Sequence, residues 1–440
     1  MNWISLLSDV RLHQEMKYKK MPPSHIRSAF EVDVDRIIFS TPFRMLQNKT
    51  QVVPLPTYDF VHTRLTHSLE VSSVGRSLGK KVGEHIIEND HSLTEQGISV
   101  QDFGAIVAAA CLTHDIGNPP FGHAGERALS DFFLTNRPEG ITDAEHEDLI
   151  KFEGNAQGFR ILCNPQYADL KLTYATLATY TKYPCESLFE RDAKRKSQKK
   201  FGFFQSEKTD FSSIATACGL TRLQHQHAVW ARHPLSYLVE AADDICYLII
   251  DLEDANLMGV IDSRHFKELV APILGNRLDE SKLNKMHDER QRAGILRALA
   301  INALIEETAE NFIHHLPEIM EGGFDKPLTD TIPSSRHTQD IARYSVEHIY
   351  NSQHVLEIQA AGFEVLPGLL SMFWEAMDDC VRNGKRCNGR NLNLIRMLAL
   401  HGIEPEANTY QRARQLIDYL SGMTDRYAVS LYKKIKGISI

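Results

Sequence analysis

The sequence predicts an all-α fold. Apolar residues recur at three- and four-residue spacing along most of the chain, strand-like alternation is confined to short runs, and no internal repeat or low-complexity tract interrupts the pattern. The 440 residues, 42% hydrophobic and 24% charged, have ordinary soluble composition and enough apolar side chain for a sizeable core. That length suits one large domain with appended elements, or two closely packed ones.

In chain order, residues 1–30 are polar and locally basic (Lys17, Lys19, Lys20), broken by Pro22-Pro23, and read as an arm or loop. A helix follows from Asp33 through Ile37 and Leu46, with Pro42 expected to kink it. Residues 49–62, with Val52-Val53, Pro54 and Pro56, read as an irregular loop or short hairpin. From about Arg64 to Glu88, Val71, Val74, Leu78, Val82 and Ile86 form an apolar stripe. His67 lies one turn before that stripe and faces inward, as a core histidine or a ligand.

Phe103 to Leu112 is an apolar run that reads as a buried helix. It ends on His114-Asp115, then Gly117 and Pro119-Pro120 force a rigid elbow. A new helix near Gly122 places His123 and Glu126 on one face. Helical pattern continues to residue 163, with a polar break near residues 136–140 and Phe152-Glu153-Gly154-Asn155 in or beside a helix. Residues 185–210 hold a basic run, Arg191, Lys194, Arg195, Lys196, Lys199 and Lys200, which reads as a solvated loop or as a polyanion contact.

Pro234 to Asp254 is the most apolar helix. On its wheel Asp243 joins Val239, Cys246 and Ile250 and is the expected buried carboxylate, with Tyr247 one turn on; Asp244 falls with Glu240 and Asp251. Long periodic stretches cover residues 287–316, 335–380 and 406–434, and the Gly- and Pro-containing segment 320–334 reads as a linker.

Composition narrows the classes. The net charge of −8 means that an anionic ligand must meet local basic groups. Seven scattered cysteines without a CxxC pair argue against a disulfide framework or a thiolate zinc site, and for a reducing compartment. No signal peptide and no apolar run of membrane-spanning length are evident, so a cytoplasmic protein without membrane contact is expected.

His67, His114, Asp115 and Asp243 together offer two imidazoles and two carboxylates, a set that suits Mn, Fe, Ni, Co or Zn and tolerates Mg. Open positions around such a cation would take water and a phosphate oxygen. His123 and Glu126, one elbow away, suit proton transfer.

The order His67…His114-Asp115…Asp243 resembles the HD-domain phosphohydrolases. The words Arg64-Leu65-Thr66-His67-Ser68-Leu69-Glu70-Val71, His114-Asp115-Ile116-Gly117-Asn118-Pro119-Pro120-Phe121-Gly122-His123, Phe152-Glu153-Gly154-Asn155-Ala156-Gln157, Glu240-Ala241-Ala242-Asp243-Asp244-Ile245 and Ser421-Gly422-Met423-Thr424-Asp425 are similar to one branch, the bacterial deoxyguanosinetriphosphate triphosphohydrolases. The resemblance runs from about residue 33 to residue 430.

It implies an HD-domain helical bundle with additional helical elements that converts a deoxynucleoside triphosphate (dNTP) to deoxynucleoside and inorganic triphosphate. By resemblance, His67, His114, Asp115 and Asp243 hold the metal, His123 is the catalytic acid or base supported by Glu126, and Tyr247 packs on the deoxyribose. Arg64, Gln51 and Lys182 match nucleotide-contacting positions. A homo-oligomer (a hexamer by resemblance), a regulatory dNTP and single-stranded DNA are the implied partners besides substrate. The implied organisation is an arm at 1–30, an HD catalytic domain at 31–320 with the basic insertion at about 185–210, and a C-terminal helical region at 321–440 packed on it.

Two other readings compete: an HD phosphohydrolase for another nucleotide phosphoester, and a nucleotide- or single-stranded-DNA-binding regulator with vestigial hydrolysis. His123, Glu126 and Tyr247 favour the triphosphohydrolase, and the filled ligand positions count against the regulator.

Overall fold

A computed structural model describes residues 1–12, 27–49, 51, 62–167, 169–351, 353–403 and 407–438. The expected arm features at Lys17, Lys19, Lys20 and Pro22-Pro23, and the loop or hairpin carrying Val52-Val53, Pro54 and Pro56, lie outside the described residues. The fold is all-α as predicted. Among the described residues, strand is limited to Arg222–Gln224 paired antiparallel with Val229–Trp230, and to isolated bridges.

The start of the chain is packed, not a free arm. Trp3–Leu6 forms a short helix whose Trp3 and Leu6 are buried, and the Trp3 ring meets Phe103 edge-on at 5.4 Å. Helix α1 (Ala29–Phe39) opens on a capping box between Ser28 and Glu31. It ends sooner than expected. Ser40 is extended and caps a new helical turn, Thr41–Arg44, with Pro42 in its first turn. A proline whose missing N–H would be unpaired anyway starts a helix there instead of kinking one.

Helix α2 (Arg64–Asn89) packs along α3 (Val100–Thr113), and α1 covers α3 from another side. The α2–α3 contact is close because Gly79 faces the α3 backbone: a Cβ there would stand 2.7 Å from the Phe103 carbonyl oxygen. Every α3 residue from Asp102 to Thr113 is buried, so the chain leaves the core directly into the elbow. Helix α4 (Gly122–Thr135) follows the elbow, then Asp143–Ile150 and α5 (Gly154–Cys163). Gly117 lies where the elbow crosses α5, and a Cβ on it would stand 2.0 Å from the Gly154 carbonyl oxygen.

Helix α6 (Ser236–Leu257) crosses α2 and α3 through the core, and α7 (Glu289–Glu321) packs on both α6 and α2. Helix α8 (Gln353–Asn383) lies on α4, with α9 (Thr409–Ser421) and α10 (Asp425–Ile435) packed behind it. The apolar side chains form two clusters. One joins α1, α2, α3, α6 and α7 and extends to Ile349; the other joins α4 and Phe152 to α8, α9 and α10. The elbow connects them.

One expectation needs correction, and one helix is notable for its composition. The segment 320–334 is not a loose linker: Phe324, Leu328 and Ile332 are buried, Thr329 donates to Asp244 at 2.7 Å, and Asp325 pairs with Arg195 at 3.0 Å. Residues Val355–Asn383 are also long and apolar enough to cross a membrane by length and composition. Here they lie within α8, whose Leu366, Leu369, Leu370 and Phe373 are buried in the second cluster.

Candidate active site

The structure brings His67, His114 and Asp243 together from three segments. His67 stands one turn into α2 with its side chain 1% exposed, where the apolar stripe holds the helix against α3. His114 follows the last residue of α3, and its Nδ1–H donates to the Cys111 carbonyl at 2.7 Å. That bond leaves the Nε2 lone pair facing the cluster. Asp243 Oδ1 stands 3.1 Å from His67 Nε2 and 3.4 Å from His114 Nε2. The three donor atoms lie within 4.8 Å of one another.

Asp115 stands one step back. Its Oδ1 pairs with Arg64 Nη1 at 2.8 Å and accepts from the Asn118 amide, while Oδ2 lies 3.5 Å from His114 Nε2. That second oxygen is buried and has no hydrogen-bond partner among the described residues. Two imidazole nitrogens, the Asp243 carboxylate and one orphaned carboxylate oxygen make a donor set that fits a divalent cation. An unpaired buried acceptor is otherwise costly.

The charges agree with that reading. Burial opposes ionisation of Asp243, yet Lys182 and the two imidazoles hold its carboxyl well below the usual range. Asp115 is likewise held low against burial by Arg64, His114 and His67. His67 is pushed up, because contact with Asp243 outweighs the burial that lowers it.

These groups line a cleft of about 480 Å³, within the size range of small-molecule sites. All ten expected site residues are there except His67, which lies beneath as a buried wall. Gln51 presents to the cleft a buried Oε1 with no partner among the described residues. Asp243 is not fully buried as expected: its side chain is 25% exposed, because its face of α6 opens on the cleft. Asp244 is half-buried like it, on Thr329.

His123, exposed at the start of α4, has its proton affinity lowered by burial of the ring's surroundings and by Lys200 and Arg64. Glu126 is pushed up to about 7 by burial and by Glu153. No hydrogen bond joins His123 to Glu126 in this structure; Glu126 Oε1 instead accepts from the Gly154 N–H at 2.8 Å. The i, i+3 spacing puts the two on one side of α4 without bringing them into contact.

Tyr247 stacks on Tyr350 at 5.3 Å between centroids, and Tyr350 donates its hydroxyl to Asp251 Oδ2 at 2.7 Å. Burial pushes Asp251 up to about 7, although its place on the wheel suggested a polar face. Lys200 completes the cleft, pairing with Glu153 at 2.9 Å. The basic run therefore divides. Arg191, Lys194, Lys196 and Lys199 are exposed as a solvated loop would be, but Lys200 turns inward. Lys200, Glu153, Tyr183 and Tyr350 all line the cleft and were not assigned to the site from sequence. Lys200 had a signal, as the last cation of the basic run beside Phe201, which is buried.

Residues 64–155 match the HD domain and residues 334–434 the phosphohydrolase-associated domain. The chain is 41% identical to a deoxyguanosinetriphosphate triphosphohydrolase-like protein of Synechocystis sp., over 100% of both chains. It is 37% identical to one of Pseudomonas aeruginosa, over 100% of this chain and 99% of that one. With the deoxyguanosinetriphosphate triphosphohydrolase of Salmonella typhimurium it shares 30% identity, over 93% of this chain and 94% of that one.

Proposed function

The chain belongs to the deoxyguanosinetriphosphate triphosphohydrolase-like family, whose HD domain makes it a phosphohydrolase, and on that premise we propose that it cleaves dNTPs, dGTP among them, to deoxynucleoside and inorganic triphosphate. One observation carries the proposal. A single cleft holds His114 and Asp243, with His67 of the same cluster beneath them, three cations (Arg64, Lys182 and Lys200), and a stacked tyrosine pair.

A triphosphate brings several negative charges, which Arg64, Lys182 and Lys200 offset locally in a chain of net charge −8. His67, His114, Asp115 and Asp243 would hold a divalent cation, Mn, Mg, Fe, Ni, Co or Zn, which when bound polarises the phosphate and acidifies water. His123, kept neutral by its surroundings, takes a proton from the attacking water and returns it to the departing 5′ oxygen. Glu126, on the same side of α4, supports it without a direct bond. Tyr247 and Tyr350 wall the sugar, so an added 2′-hydroxyl would press on a stacked pair that Asp251 holds in place.

The proposal includes self-association, supported by exposed Phe39, Leu134 and Leu400, and a cytoplasmic setting, supported by seven cysteines with no disulfide among the described residues. A regulatory dNTP and single-stranded DNA enter it by family resemblance, with the exposed cations of residues 191–199 as the DNA-contacting candidate. To test the reading, the purified protein is incubated with each dNTP and rNTP under Mn²⁺ or Mg²⁺, with mixed dNTPs in parallel. Inorganic triphosphate from dNTPs supports it. Orthophosphate or pyrophosphate would move the chain to another phosphoester.

A further inference from the structure

We propose that Lys49 and Asp425 are positioning residues that clamp the elbow between its two chemical ends, an inference that rests on reading the cleft as a triphosphohydrolase site. The elbow carries His114 and Asp115 where it leaves α3 and His123 where it enters α4. Its own backbone supplies only short turns: Ile116 N–H to the Thr113 carbonyl at 3.0 Å, Asn118 N–H to the Asp115 carbonyl at 3.2 Å and Gly122 N–H to the Pro119 carbonyl at 3.2 Å.

Both ends of this strap are tied to the far end of the chain. Lys49 is 3% exposed, and its Nζ donates to the Asn118 carbonyl and to the Ser421 carbonyl, each at 2.7 Å. Asn118 in turn donates its side-chain amide to Asp115 Oδ1. A relay therefore runs from Ser421, at the end of α9, through Lys49 and Asn118 to a metal-ligand candidate. A buried ammonium is costly to keep, and here it joins the Asn118 carbonyl to a carbonyl 372 residues from Lys49 in the chain.

The other tie is at Phe121. Its φ of +65° lies in the left-handed region, which a side chain as bulky as phenylalanine rarely adopts. The Phe121 N–H donates to Asp425 Oδ1 at 2.9 Å, and Asp425, 2% exposed, opens α10. Strained backbone persists where its surroundings over-determine it. Two residues later stands His123, so the direction of that imidazole is set where the bond from Asp425 fixes the chain.

The two ties serve different halves of the elbow, and that makes them separable. Lys49→Met keeps length and removes both donors. It should raise the dissociation constant for Mn²⁺ alone by roughly 10- to 100-fold, the usual effect of losing support behind a metal ligand. Asn118→Ala, which breaks the same relay one step later, should do the same. Asp425→Ala should leave Mn²⁺ affinity and the KM for dGTP unchanged and lower kcat by roughly 10- to 100-fold, within the range of general acid–base help. Asp425→Asn, which keeps an accepting oxygen, should recover most of that kcat. Thermal midpoints of the four variants accompany the titrations. If the midpoints fall while Mn²⁺ affinity and kcat per folded molecule stay at their original values, the clamp is structural only and the inference is overturned. If the unaltered protein releases no triphosphate from dGTP, the functional reading fails, and the Mn²⁺ isotherms of Lys49→Met and Asn118→Ala alone decide the clamp.

Discussion

The ammonium of Lys182 stands 2.9 Å from Oδ2 of Asp243, while Oδ1 of the same carboxylate faces His67 and His114 at 3.1 and 3.4 Å. One oxygen is committed to a lysine and the other to the imidazole cluster. The salt bridge thereby fixes the carboxylate's orientation on a helix face that opens on the cleft. It also keeps a cation beside the place where a phosphate would sit.

Removing the donors should remove the metal. Asp243→Asn, chosen because it leaves Lys182 an accepting oxygen, and His67→Ala should each abolish Mn²⁺ binding and turnover. Metal content after dialysis, read beside activity, checks this; full occupancy with a normal rate in either variant takes that residue out of the site.

Lys182 should behave differently from the donors. In Lys182→Met the imidazoles and both carboxylates remain, so Mn²⁺ should still bind. The KM for dGTP should rise by roughly 10-fold or more, the worth of one hydrogen bond to a charged group. Loss of Mn²⁺ binding with an unchanged KM would show that the lysine serves Asp243 alone.

Sugar discrimination should follow the tyrosine stack. An apolar wall rejects an added hydroxyl by about 10²-fold, so dGTP should be preferred over GTP by that order. Tyr247→Ala uncouples the 5.3 Å stack with Tyr350 and should narrow the gap. Equal rates on dGTP and GTP for the unaltered protein would remove the steric role.

Proton transfer can be separated from binding. His123→Ala should keep Mn²⁺ and substrate yet lose roughly 10²- to 10⁴-fold in kcat, and Glu126→Gln should lose less. Burial, Lys200 and Arg64 all disfavour the charged imidazole, so activity should rise as pH increases through the range where His123 loses its proton. Taking away the Lys200 cation makes protonation easier, which raises the pKa. Lys200→Gln should therefore move the acid limb of the kcat profile to higher pH; a limb that stays in place would mean that another group sets it.

Much of this site was legible in the sequence because its residues sit at the ends of strong helical patterns. His67 precedes an apolar stripe, His114 follows a helix buried from Asp102 to Thr113, and Asp243 interrupts the most apolar one. Tyr350 was not legible. It reaches Asp251 across 99 residues, from a π-helical turn at Val346–Tyr350 that no periodicity announces. Lys200 was hidden differently, since its solvated basic neighbours mask a side chain that turns into the cleft. The stop at Ser40 shows the same limit on a smaller scale, because a capping hydroxyl and a first-turn proline look like a kink until the φ and ψ angles are known.

The central claim is hydrolysis at the α-phosphorus, and a single turnover of dGTP in ¹⁸O-labelled water tests it most directly. The account predicts one ¹⁸O atom in inorganic triphosphate and none in deoxyguanosine, because water is activated among His67, His114, Asp243 and His123 while the 5′ oxygen departs with the sugar. Label in orthophosphate or pyrophosphate, or in the 5′-hydroxyl of deoxyguanosine, would contradict it.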